Sequence, residues 1–249
     1  MSKNAFDVLL LLARPAAGKS EIIHYLKQIP EQERLKRFHI GVMDEIDDFP
    51  MLWAWFEEDD LLSRMRKPRL HSTPDGYFKK TYFWDLLIER ISLEYQKRLR
   101  DYPFIPGEVT TLVEFARGSQ HGGFRRAFEH LSSEMAQRAA ILYVCVSYAE
   151  SLRKNRRRFN PERPDSVLQH GLPDDKMERL YKDSDWDKLS GGADQGTLQI
   201  QGFNVPFIVF ENEDDITTSG GERLGARLEE TLGRLWKLYS SSPKFFAPR

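Results

Sequence analysis

The chain of 249 residues is short of cysteine, of net charge and of long apolar runs, and each shortage removes a class of protein. Its sole cysteine, Cys145, rules out a disulfide within the chain. That residue sits in the apolar run Ala139-Ala-Ile-Leu-Tyr-Val-Cys-Val146, where it reads as a small buried strand residue rather than a nucleophile or a ligand. The histidines at 39, 71, 121, 130 and 170 have no spacing that would make a metal site with it. A formal net charge of −1 gives no global field for coating nucleic acid or binding a membrane surface. No apolar run approaches the ~20 residues needed to cross a bilayer. The N-terminal apolar stretch Phe6–Ala13 is short and runs into a loop instead of a cleavage site, so no secretory leader is expected and the expected location is cytoplasmic. Guanine-specific Asn/Thr-Lys-x-Asp motifs are also missing.

What remains is a chain whose 40% hydrophobic content can fill a real core. Apolar segments alternate with helical spacing along its length, the pattern of a layered α/β domain. Strands are expected near Phe6–Ala13, Arg37–Met43, Val109–Glu114, Ala140–Val146 and Val205–Glu211. Helices are expected at Gly18–Lys27, Lys79–Arg100, Phe124–Gln137, Ala149–Phe159 and Gly221–Tyr239. Five buried strands joined by helices imply a mostly parallel sheet with right-handed crossovers. Gly196–Gly202 alternates with period two and reads as a short hairpin arm feeding the last strand. The tail 240–249 has turn residues around an aromatic pair, which either docks on the body or frays.

The sharpest local signal follows the first strand. Ala13-Arg14-Pro15-Ala16-Ala17-Gly18-Lys19-Ser20 fits the Walker A pattern with Ala13 in place of the first glycine. In such a loop, backbone N–H groups and the start of the next helix form an anion nest. Gly18 lets the backbone approach phosphates closely, Lys19 reaches the β- and γ-phosphates, and Ser20 offers a hydroxyl to Mg²⁺. Residues 13–20 are therefore the expected nucleotide-binding loop.

With that loop and that order of elements, the chain resembles the P-loop kinases, the branch that includes nucleoside and nucleotide monophosphate kinases. The resemblance implies a three-layer fold around a five-stranded, mostly parallel sheet across residues 1–249, with ATP and Mg²⁺ as cofactors. It implies a helical substrate-binding cap at residues 44–80 and an arginine-bearing lid at 151–194. Asp44, taken as the end of the second strand and followed by Glu45, is the expected catalytic carboxylate. In the deoxynucleoside kinases such a group acts as base with a tryptophan close behind, a pattern Trp53 and Trp55 loosely match, although as a pair they read more readily as core residues than as base-stacking platforms. Glu45 is the next candidate, and the alternative reading makes Asp44, Asp47 and Asp48 N-cap and first-turn residues of the helix that follows. Glu114, at the tip of the third strand, is the expected Mg²⁺ residue alongside Ser20. Arg117, in Glu114-Phe-Ala-Arg, is the expected phosphate grip, although the related enzymes carry Glu-Arg-Ser there. Arg153, Arg156 and Arg157 are the expected lid arginines. His121 lies on the loop beside them, and Glu211–Ile216 follows the last strand, where relatives contact adenine.

The function implied is transfer of the γ-phosphate of ATP to a hydroxyl or phosphate of a small molecule or nucleotide. Two alternatives stand beside it. One is a nucleic-acid base or end kinase, with Arg64–Lys67 and Arg153–Arg158 as a phosphate track. The other is a P-loop regulatory NTPase or switch. The near-neutral charge disfavours nucleic acid, no membrane partner is expected, and the sequence leaves a homodimer open.

Overall fold

A computed structural model describes residues 4–101, 107–158 and 171–241. It is an α/β fold built on one mixed sheet of six strands: β1 Val8–Ala13, β2 Val42–Asp47, β3 Val109–Phe115, β4 Ala139–Cys145, β5 Gln195–Ile200 and β6 Phe203–Glu211. Across the sheet they run β2-β3-β1-β4-β6-β5. All neighbours pair in parallel except the β5–β6 hairpin. The sheet thus has one strand more than expected, and the addition is the antiparallel arm at its edge. Its turn, Gln201-Gly202, has positive φ at both residues (50° and 82°), which matches the twist of a two-residue hairpin.

β1 shows how sequence sets the layers. Its side chains alternate between faces, so Leu9 and Leu11 enter one core while Val8, Leu10 and Leu12 enter the other. The first core is closed by α1 Lys19–Gln28, α2 Glu31–Phe38 and the long C-terminal helix α11 Gly221–Ser241, through Ile22, Leu26, Phe38, Leu224, Leu228 and Leu232. The second is closed by α4 Tyr82–Asp101 and α5 Gly123–Glu129, through Ile88, Ile91, Phe124 and Phe128. Each of these fully buried leucines and phenylalanines contributes about 1.5–3 kcal/mol relative to exposure.

Two boundaries differ from the sequence reading for physical reasons. Residues 31–38 form helix α2, started by Pro30 and stopped at His39 in the left-handed region (φ 56°). That pushes β2 to Val42–Asp47, later than the expected Arg37–Met43. β2 carries three carboxylates because it is the outer strand, with one edge unpaired. The expected helix 124–137 is two: α5 ends at Glu129 and α6, Ser133–Arg138, begins again on the Ser132 cap. The remaining helices are α3 Asp48–Arg64, α7 Tyr148–Arg158, α8 Asp174–Tyr181, α9 Trp186–Ser190 and α10 Ile216–Ser219. The part of the expected lid at 159–170 and the tail from 242 lie outside the described residues. Among the described residues no helix is long and apolar enough to cross a membrane.

Candidate active site

A cavity of about 460 Å³ opens at the carboxyl ends of β1, β2 and β3. Its floor is the turn between β1 and α1. Ala16 (φ 54°) and Gly18 (φ 116°) both take left-handed conformations there. Gly18 is required twice over, because a Cβ at that position would also lie 2.5 Å from Thr217 Oγ1 and 2.7 Å from Asn212 Nδ2. The turn is clasped from three sides. Asn212 Nδ2 donates to the Ala17 carbonyl at 2.8 Å, and Ser151 Oγ donates to the Pro15 carbonyl at 2.7 Å. Arg14 donates to the carbonyls of Val146, Tyr181 and Lys182 at 3.2, 3.3 and 3.2 Å. Arg14 is therefore a structural strut. Ala13 completes β1 fully buried.

Lys19 and Ser20 open α1, whose first N–H groups have no partner within the helix. The Lys19 ammonium, 5% exposed, lies 3.7 Å from the Glu114 carboxylate and 3.4 Å from the Arg14 carbonyl. Ser20 Oγ donates to the same carboxylate at 3.2 Å. Pairing of β1 with β3 places Leu11 opposite Glu114, and this register brings Ser20 to a carboxylate 94 positions further along the chain. The next pairing brings Asp47 of β2 beside Glu114. Burial first, then the charges of Glu114 and Asp48, push the Asp47 carboxyl up to about 7. Its Oδ1 caps α3 by accepting from the Phe49 N–H at 2.9 Å. Asp48 pairs with Arg117 at 2.5 Å, and the Arg117 guanidinium, 2% exposed, lies over the Trp84 ring at 5.2 Å.

The far wall is aromatic and comes from α3, the segment after it and the start of α4. Phe49, Trp53, Phe56, Tyr77, Phe78 and Trp84 line it. His121 stacks on Trp84 with ring centroids 3.8 Å apart and is buried, so desolvation and then Arg117 push its imidazole down to about 3 and keep it neutral. The cap itself is pinned by Asp59. This buried carboxylate accepts from the N–H groups of Leu70, His71 and Ser72 at 2.5, 2.9 and 2.5 Å, and from Ser72 Oγ at 2.7 Å. Burial alone would raise its pKa, but these hydrogen bonds outweigh it and hold the carboxyl at about 2.

Several sequence expectations land elsewhere. Asp44 does not end β2. It sits three residues back, paired with Arg98 of α4 and outside the cavity lining. Glu45 pairs with Lys27 at 2.8 Å. Because the strand continues to Asp47, the carboxylates that reach the cavity are Asp47 and Asp48, which the sequence reading took for helix-capping residues. Both roles hold for Asp47, and a cap at a strand's carboxyl end always carries that double meaning. Trp53 lines the cavity, whereas Trp55 is buried in the cap against His71, Phe78 and Phe83.

The expected lid arginines turn away. Arg153 pairs with Glu150 and Asp215 at 2.6 and 2.7 Å, Arg156 with Asp174 at 2.5 Å, and Arg157 with Asp215 at 3.8 Å. The cations of this region that line the cavity are Arg158, Lys176 and Arg179. Arg158 is the next residue along α7 and the other two lie on α8, and helical spacing without a known packing face does not say which side looks inward. Glu213, in the expected adenine segment, caps α7 through the Ser147 N–H at 2.7 Å.

No family model matches the chain, and no curated protein does. Among solved structures, the crystal structure of APE1195 overlays on 92% of this chain and 98% of its own, with a TM-score of 0.40 and 14% identity. That likeness is too loose to carry an argument about function.

Proposed function

We propose that this chain is an ATP-dependent phosphotransferase with a P-loop three-layer fold, a kinase in which residues 13–20 hold the donor phosphates and the aromatic cavity holds the acceptor. The observation that carries this reading is the meeting of Lys19, Ser20 and Glu114 beside Asp47, at the carboxyl edge of the sheet. A phosphate loop needs a cation, a hydroxyl and a carboxylate at that spot, and few other chemistries need all three.

The residues also fit Mg²⁺. Ser20 Oγ and the Glu114 carboxylate are hard oxygen donors 3.2 Å apart. Among the described residues no cluster of three or more His, Cys, Asp or Glu is arranged as a metal cage. Mg²⁺ suits such a sparse set, since it usually takes one or two protein oxygens and completes its shell with water and phosphate. When bound there it would offset charge on the β- and γ-phosphates.

The protein's own groups divide the work. Lys19 and the loop N–H groups bind and orient the donor phosphates. Asp47, ionised, accepts the proton of the acceptor hydroxyl as that oxygen takes the γ-phosphoryl group and ADP leaves. Asp48 fixes the Arg117 guanidinium in the cavity wall, where it also donates to the carbonyls of Ala116 and Trp84 at 2.7 and 3.3 Å and lends positive charge to the acceptor side. The α8 segment covers the cavity and limits access of water, which guards against idle hydrolysis.

The test is turnover of Mg-ATP by wild type and Lys19→Ala, with and without pooled nucleosides, nucleotides, sugars and short oligonucleotides. Turnover that needs both Lys19 and one acceptor pool supports the kinase. Acceptor-independent hydrolysis, or nucleotide binding without turnover, sinks it in favour of a switch. Turnover confined to the oligonucleotide pool moves the assignment to a nucleic-acid kinase.

A further inference from the structure

The cations of α7 and α8 fall into two sets. Outside the cavity lining, Arg153 pairs with Glu150, Lys154 with Asp215 and Arg156 with Asp174 at 2.5–2.6 Å, and Arg157 reaches Asp215 at 3.8 Å. Lys182, just past α8, pairs with Glu178 at 2.8 Å, and Arg158 lines the cavity from the end of α7. Lys176 and Arg179 line the cavity, and neither has a carboxylate within 4.0 Å among the described residues. Both instead lie against the Tyr77 ring, with Lys176 Nζ 5.1 Å and Arg179 Cζ 4.4 Å from the ring centroid. The nearest opposing charge they influence is exposed Asp75, whose carboxyl they help hold below its ordinary value after its hydrogen bonds to Thr73 and its own backbone. Asp60, on the same side, is already matched to Arg69 at 2.6 Å.

The position of this pair in the fold matters as much as its charge. α8 spans the cavity from the cap to the phosphate loop. At one end Lys176 Nζ donates to the Gly76 carbonyl at 3.2 Å, and at the other the Tyr181 carbonyl accepts from Arg14. Five residues of helix put about 7.5 Å between those ends. Because both cationic ends reach Tyr77 of the cap, the pair sits at the cap end, among the aromatic rings, and away from the loop that would hold donor phosphates.

We propose that Tyr77, Lys176 and Arg179 form an anion subsite for the acceptor, so that the acceptor is a planar aromatic compound carrying a phosphate or carboxylate distant from the oxygen that is phosphorylated. The proposal rests on the kinase reading for which end of the cavity is the acceptor's. Rings take the flat part of the ligand, the two cations take the anion, and Tyr77 holds both cations in place without neutralising them. A cavity of about 460 Å³ is ample for a ligand of mononucleotide size.

The experiment is equilibrium binding by calorimetry, without ATP. The ligands are the four ribonucleosides, their 5′-monophosphates and the hydroxybenzoate isomers with their neutral amides. Wild type is expected to bind at least one anionic compound at least about tenfold more tightly than its neutral parent, with the preference shrinking at high salt. The nucleotide and benzoate arms tell phosphate from carboxylate. Lys176→Gln with Arg179→Gln should abolish the preference and leave MgADP affinity within about twofold, with Lys176→Gln alone giving part of the loss. Equal binding of neutral and anionic forms by wild type, no binding of either, or a preference that survives the double variant overturns the proposal. Lys19→Ala keeps the two readings apart. If MgADP does not bind wild type, or binds it no better than Lys19→Ala, the kinase reading fails while the anion preference is still read directly.

Discussion

The two ends of the cavity are built on opposite principles. At the end beside the β1–α1 turn the backbone is fixed: the turn is clasped by the side chains of Asn212, Ser151 and Arg14, and Glu114 and Asp47 are set by strand register. At that end burial, and then the neighbouring carboxylates of Glu114 and Asp48, push Asp47 up to about 7. At the cap end the wall is aromatic, its carboxylates are exposed or matched elsewhere, and its cations lean on rings. Rigid backbone suits chemistry, where a small displacement is costly, and adaptable side chains suit recognition of an acceptor. Substitutions at the first end should therefore change rate, and those at the second should change affinity.

The largest effect expected is at Lys19. Lys19→Ala should cut phosphoryl transfer by about a thousandfold, the scale for removing a preorganised charge from the transition state, and single-turnover kinetics would read it. A loss of less than tenfold would break the comparison at its stronger end. Asp47→Asn should follow, with a loss of about a hundredfold or more in kcat and little change in acceptor KM, while Asp44→Asn stays within about twofold.

Asp47 also predicts two pH dependences of opposite sense. Because the ionised form accepts the proton, kcat/KM, which reports the free protein, should rise with pH through about 7 and then level. Stability runs the other way. The folded protein holds this proton more tightly than the unfolded chain, whose ordinary value is 3.8. That contribution is complete below 3.8 and is lost as pH rises through about 7. Asp47→Asn removes the dependence, so its melting temperature should gain on wild type between about pH 5 and pH 8 in thermal melts. A gap that narrows with rising pH would show that the carboxylates are not crowded as described.

The cap gives smaller effects. Asp59→Ala leaves three backbone N–H groups of residues 70–72 without their acceptor. It should cost about 2–4 kcal/mol in urea unfolding, with acceptor affinity falling more than ATP affinity. The Asp59 carboxyl lies below its ordinary value of 3.8, so its stabilisation is present above 3.8 and lost as pH falls through about 2. Trp53→Ala should raise acceptor KM about tenfold with kcat nearly unchanged, as expected for an aromatic wall that binds ground and transition states alike. Smallest of all, Arg153→Ala and Arg156→Ala should alter turnover by less than about twofold, since exposed ion pairs contribute little. A hundredfold loss at either would return the lid role to the outer arginines.

How legible each part was in the sequence follows from how local its physics is. The turn after β1, the alternation of β1 and the hairpin arm depend on neighbours in the chain, so the strand ending at Ala13, the helix opening at Lys19 and the arm near 196–202 could be read directly. The edge strand was misplaced because an unpaired, half-exposed edge tolerates Asp44, Glu45 and Asp47, which reads as loop chemistry. Asp47 was visible only as a helix cap, because nothing in its own segment says that Glu114 stands beside it.

The sequence by itself determined the α/β class, the buried first strand and the turn that Gly18, Lys19 and Ser20 make after it, because short-range sterics and side-chain periodicity govern these. Tertiary structure alone decided which carboxylates reach the cavity, which arginines are spent in surface pairs, and that Lys176 and Arg179 look inward. Those outcomes depend on strand register and helix packing between residues tens of positions apart, and one residue of slip or one turn of helix changes every partner.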